Sequence, residues 1–164
     1  MDAQVSRILE QHLQAVKEGI AQRMASTNRN ATGKSVASLS VIVKGNEGYL
    51  EGAQSFLSME RGRGPGKVPH DFVSIIRQWI LAKGISYQNM IPKNGNAEQG
   101  LRRLSGAIAY SIMKRGTSLH RSQGYNDIYA TLLQEELKKI EEEVSYTVEL
   151  EVDKITDEFI NENN

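Results

Sequence analysis

Apolar residues recur along residues 3 to 24 at steps of three and four, as Val5, Ile8, Leu9, Leu13, Val16, Ile20 and Met24. That spacing lays one apolar stripe along an otherwise polar helix and predicts a long N-terminal α-helix. The polar run Ser26-Thr27-Asn28-Arg29-Asn30 ends it, and Thr32 can cap a short helical turn reaching Leu39. Val41-Ile42-Val43, Tyr49-Leu50-Glu51 and Ser55-Phe56-Leu57-Ser58-Met59 then read as short strands, with Gly45-Asn46-Glu47-Gly48 as the turn between the first two.

Residues 61 to 69 carry three glycines and two prolines, which break strand and helix alike and predict a loop. After it, Asp71 is a suitable N-cap, and Phe72, Ile75, Ile76, Trp79 and Ile80 keep helical spacing until Gly84. Trp79 is expected in the core between this helix and the sheet. A linker over 86–97, marked by Pro92 and Asn94-Gly95-Asn96, leads to a helix from about Glu98 to Arg115, which Gly116 closes.

From Asn126 onward Ile128, Leu132, Leu133, Leu137, Ile140 and Val144 are helically spaced, after which Tyr146, Val148, Leu150 and Val152 alternate. The β-branched content favours a strand over 145–152. A continued helix would instead gather Val144, Val148, Ile155 and Phe159 near one stripe. The end, Asn161-Glu162-Asn163-Asn164, reads as frayed. Together these elements predict an α+β fold: a small antiparallel sheet of about three to four strands packed against a long N-terminal helix and two or three further helices. The length, 164 residues, suits a single domain.

Composition changes the picture mainly through charge. The formal net charge is zero, yet residues 61–125 hold eleven basic against two acidic side chains, and 126–164 hold three against twelve. A +9 centre therefore precedes a −9 C-terminal segment suited to an interaction extension. The basic centre could meet nucleic acid, or the acidic segment could satisfy it, within one subunit or between neighbours. The chain has no cysteine, which excludes a disulfide framework and thiolate chemistry and fits a reducing cytoplasm. Polar residues interrupt every apolar run near the N-terminus, so neither a signal h-region nor a transmembrane span is expected.

Candidate chemistry is thin. Gly33-Lys34-Ser35 and Gly66-Lys67 imitate the end of a phosphate-binding loop, but Asn28 and Arg61 stand where its first glycine belongs. His12, His70 and His120 lack the paired spacing of metal ligands. Ser118, His120 and Asp127 can be drawn as a triad only on paper. Glu135, Glu136, Glu141, Glu142 and Glu143, interleaved with Lys138 and Lys139, fit a solvated helix face better than a cation site. No catalytic, cofactor-binding or metal-ligating residue is assigned. The residues singled out for subunit or partner contact are Arg61, Arg63 and Lys67 in the glycine loop, Arg102 and Arg103 on the following helix, and Glu141, Glu142 and Glu143. Glycines expose backbone N–H groups beside the loop cations, which suits an anion contact as well as it suits a flexible loop.

An ordered series of segments carries more information than these motifs: Thr32-Gly33-Lys34-Ser35-Val36-Ala37-Ser38-Leu39, then Met59 through Pro69, Ile76-Arg77-Gln78-Trp79-Ile80, Lys83-Gly84-Ile85, Ile108-Ala109-Tyr110 and Arg115-Gly116-Thr117. The series resembles the tail-completion and head–tail joining (neck) proteins of tailed bacteriophages, in the version common among phages and prophages of gut Bacteroidetes, including crAss-like phages. It runs from about residue 30 to residue 125. The resemblance implies a non-enzymatic structural virion protein, assembled in the host cytoplasm, that forms a homo-oligomeric ring of about six or twelve copies between portal, neck or tail proteins. DNA would pass through its lumen with at most non-specific contact. The acidic segment from Asn126 departs from the family's pattern. Rival expectations are a nucleic-acid-binding module built on the basic 61–121 region and a small hydrolase using His120 or the carboxylates.

Overall fold

A computed structural model describes residues 2–27 and 32–162. Asn28-Arg29-Asn30 of the expected helix stop and Asn163-Asn164 of the expected frayed end lie outside the described residues. In chain order the elements are α1 (Asp2–Ser26), α2 (Lys34–Ala37), β1 (Ser40–Lys44), β2 (Glu47–Glu51), α3 (Ser55–Arg61), α4 (Phe72–Ala82), a 3-10 turn (Gln88–Met90), α5 (Ala97–Arg115), α6 (Ser118–Arg121) and α7 (Ala130–Glu162). They form two compact units.

The first unit comprises α1, the hairpin and the chain from Asp127 onward. The stripe read from the sequence is its core, since Val5, Ile8, Leu13, Val16, Ile20 and Met24 are all buried. β1 and β2 pair antiparallel from Ser40 opposite Glu51 to Lys44 opposite Glu47. Gly45, at φ +59°, takes the first central position of the two-residue turn, where glycine is favoured. The hairpin packs on α1, and Gly48 permits the approach: a Cβ there would stand 2.6 Å from Leu13 Cδ1. α7 runs antiparallel to α1. Gln4 meets Thr147, Gly19 receives Leu132, and Arg23 Nη1 lies 2.8 Å from Asp127 Oδ2.

The second unit spans Gln54–Asn126 together with the described residues 32–35. Its core is the face between α4 and α5: Ile76, Ile80, Leu101 and Ala109, with Phe72, Ile85, Leu104 and Ile108 packed around them. α4 ends in a left-handed glycine, Gly84 at φ +62°. There Ile85 N–H donates to Ile80 O and Gly84 N–H to Leu81 O, the paired bonds of a Schellman stop. α5 begins with a full capping box, in which Asn96 accepts from Gln99 N–H and the Gln99 side chain accepts from Asn96 N–H.

Four expectations need correction. Among the described residues the sheet has two strands, not three to four. Residues 55–59 belong to helix α3, because Phe56 and Glu60, four apart, are the buried pair while Leu57 faces solvent. Residues 145–152 are α7 and not a strand. Thr147, four residues past Glu143, donates to its carbonyl and turns toward Gln4, so the helix packed on α1 simply propagates. Trp79, expected in the core, is 39% exposed: Ile76 and Ile80 take the buried face of α4, and Ile75 and Trp79 lie to one side of it.

Candidate interaction surfaces

In the second unit, the glycine loop is fastened to the end of α5. Thr117 N–H donates to Arg63 O at 2.8 Å, and Arg63 N–H donates to Thr117 Oγ1 at 2.9 Å. Gly66 N–H adds a bond to Met113 O at 2.9 Å. Gly62 (φ 76°, ψ 175°) and Gly116 (φ 73°, ψ −179°) hold backbone geometry that is essentially reserved for glycine. A Cβ on Gly62 would stand 2.5 Å from His120 N, and one on Gly116 would stand 2.6 Å from Arg63 O. The glycines therefore serve close backbone packing. The loop is thus a pinned corner of the unit.

That pinning decides what the loop cations do. Arg63 donates to Lys67 O and sits 5.7 Å over the Phe72 ring, so its guanidinium holds its own loop together. Arg61, the last residue of α3, and Lys67 are exposed. Just beyond Lys67 the loop forms one wall of an apolar groove of about 240 Å³, where Val68, Phe72 and Val73 face Gly106, Tyr110 and Met113 of α5. Gly106 is its low point, since a Cβ there would meet nothing within 4 Å. Arg102 and Arg103 are both exposed and line a second depression, which also includes Gly106. Lys114 lies 5.8 Å over the Tyr110 ring. Cations thus stand beside the groove, at Tyr110 and in the depression that shares Gly106, as lysine and arginine stems cover apolar surface while their heads stay wet.

In the first unit, Glu141 and Glu142 are exposed on α7, and Glu141 borders a groove of about 460 Å³ between α7, α1 and the hairpin turn, with Leu9, Ile140, Val144 and Val148 among its walls. Glu143 belongs instead to a cluster invisible in the linear sequence. His12, buried on α1, places Nδ1 2.6 Å from Glu136 Oε2 and Nε2 3.1 Å from Glu143 Oε1, the latter within ion-pair range but outside hydrogen-bond alignment. Because a carboxylate can only accept, Nδ1 is the donor to Glu136. Lys139 completes the cluster at 2.6 Å from Glu136 Oε1. Lys139 first, and then His12, hold the Glu136 carboxyl below its ordinary value of 4.5, and Glu136 raises the Lys139 ammonium above 10.5. Sequence spacing said only that His12 has no paired metal ligand, and its carboxylate partner 124 residues away was not legible.

The other sequence candidates are dispersed. Lys34 opens a four-residue helix and reaches Gln78, and His70 is exposed in its loop. Asp127 of the paper triad is bound to Arg23 and accepts from Thr131 N–H. Among the described residues no group of three or more histidine or acidic side chains could hold a metal ion, and no helix is long and apolar enough to cross a membrane. Comparison of the chain with family models, with curated proteins and with solved structures finds no match.

Proposed function

We propose that this chain is a structural subunit of a tailed-phage virion that joins copies of itself into a ring in the neck or tail, as a tail-completion, head–tail joining or tail-barrel component. One observation carries the reading. The segments of the phage-like series from Met59 to Thr117 fold into one unit in which the Arg61–Lys67 loop and the Arg115-Gly116-Thr117 corner are hydrogen-bonded to each other. Segments that must pack together are the ones a family keeps in order and spacing. The work of such a subunit is geometric: two different patches on each copy meet head to tail, and closure of the rotation makes the ring. Its neighbours would be portal, neck or tail proteins, and its place the virion after assembly in the host cytoplasm.

The test is localisation in particles. Antibody raised against the full chain, with gold label, should mark the head–tail junction or tail of gradient-purified phage from a host that carries the gene. Protein quantitation of the same particles should return a ring-like copy number. Recovery of the chain only from the soluble lysate, with clean particles beside it, would overturn the reading.

A further inference from the structure

α7 outlasts the helix it packs on. The α1 to α7 pairing sets Gln4 beside Thr147 and Gly19 beside Leu132, so Asp2 comes level with about Val148. The remaining residues to Glu162 extend roughly 20 Å past the first turn of α1, at 1.5 Å per residue. On this extension Val148, Val152 and Ile155 stand at helical spacing and are exposed, Ile155 by 58%. They continue the line of Leu137, Ile140 and Val144 without interruption. Glu149, Glu151, Asp153, Asp157 and Glu158 flank them, against Lys154 as the cation of the stretch. The result is an acidic helix with an apolar seam, presented to solvent.

A second α7 is a poor occupant for that seam. Two such helices would set carboxylates against carboxylates along both flanks, and like charges across a contact penalise it. The groove between α4 and α5 has the opposite character. It is apolar along its floor; Lys114 lies over the ring of Tyr110 in its wall, and Arg103 lines the neighbouring depression that shares Gly106, while Lys67 and Asp71 adjoin its loop wall in sequence. At about 240 Å³ it exceeds the roughly 150 Å³ that accommodates a benzene ring, so branched aliphatic side chains can enter it. Gly106 lowers its floor enough for a helix to lie close.

We infer that the exposed extension of α7 from one copy docks in the α4–α5 groove of a second copy, with Val152 and Ile155 over Gly106 and Tyr110 and the flanking acids against Arg103 and Lys114. This deepens the ring-subunit reading and starts from it: the contact joins two different surfaces and is therefore head to tail, able to propagate to closure. Helix-in-groove binding with three- and four-residue anchors is a common way for helices to be recognised, and charge complementarity fixes its direction.

The test uses the full chain in sedimentation velocity across a concentration series. The parent should associate reversibly, and less at high salt because the flanking pairs are solvent-exposed. Gly106→Glu fills the groove with a like charge, and Ile155→Lys breaks the seam. Both sites are open, so each variant should melt no lower than about one degree below the parent while its association weakens roughly tenfold or more. Mixed in equal amounts, the two variants should form a discrete dimer, because the intact helix of one meets the intact groove of the other and the chain of contacts stops there. A monomeric parent at low salt, a monomeric mixture, or loss of association in Ile155→Lys alone with Gly106→Glu unaffected, overturns the contact. Particle labelling is independent of these outcomes. A labelled particle with a monomeric parent removes this contact and leaves the ring reading, whereas a working mixture with clean particles does the reverse.

Discussion

Gly62→Ala should be the most damaging single methyl in the second unit. The residue sits at φ 76° and ψ 175°, a region closed to residues with a Cβ at a cost of about 1 to 3 kcal/mol. The added Cβ also lands 2.5 Å from His120 N and 2.6 Å from Thr117 Oγ1. A backbone nitrogen cannot swing aside, so the loop must lift away from the end of α5. Lifting it strains the reciprocal bonds between Arg63 and Thr117, each worth about 0.5 to 1.5 kcal/mol. The combined loss is about 2 to 6 kcal/mol. Gly106→Ala supplies the internal control: it lies mid-helix with open space around it, and alanine there should stabilise by about 0.5 to 1 kcal/mol. Urea unfolding followed by tryptophan fluorescence reads the second unit selectively, because Trp79 is the sole tryptophan and lies on α4. Far-UV circular dichroism beside it shows whether the first unit unfolds separately. A Gly62→Ala midpoint equal to that of the parent would refute the claim that these glycines are needed for backbone packing.

Two other consequences are direct. Glu136 titrates below 4.5 in the fold, so its share of stability is complete above that value and is lost as pH falls through the lowered folded value. Glu136→Gln should therefore be less stable than the parent at neutral pH and flatter in its urea midpoints as pH falls below 4.5; parallel profiles would show that the His12 cluster contributes nothing. Trp79 should be quenched by acrylamide in the folded chain, and Trp79→Ala should cost about 2 kcal/mol, below the 3 to 5 of a fully buried aromatic, and leave soluble protein. A blue-shifted, unquenched emission would return Trp79 to the core.

The helices were legible where one physical cause dominated. The stripe of α1 is unbroken, and Gly84 and Gly116 stand where left-handed or extended glycines end a helix; the Asn96–Gln99 capping box, read as a linker turn, emerged only from the structure. Strand assignments fared worse because short apolar runs have no period of their own. Ser55-Phe56-Leu57-Ser58-Met59 suits a strand by composition, and only the burial of Phe56 with Glu60 reveals the helix. On α4 the stripe of Phe72, Ile75, Ile76, Trp79 and Ile80 is wider than the surface it covers. Periodicity locates the apolar side of a helix, but packing decides which part of it is covered, and here α5 takes Ile76 and Ile80.

The interaction residues divide along the same line. Net charge per segment can be counted without a structure, which is why Arg102, Arg103 and the acids of α7 stood out. What a given charge faces cannot be counted. Arg63 spends its guanidinium on Lys67 O and the Phe72 ring, and Glu143 turns to His12, whereas Lys114 lies over the Tyr110 ring of the apolar groove and Arg103 lines the depression beside it. The same holds for the alternation at 146 to 152. Tyr146, Val148, Leu150 and Val152 look like one face of a strand, yet on a helix they spread around the cylinder, and all four are exposed. A helix stretch of this length would be marginal alone, and it is held here by continuity with the turns packed on α1. Exposed apolar side chains in that position bring little stability to their own chain. Their natural complement is a surface elsewhere that is apolar, basic and open, and the α4–α5 groove has those three properties.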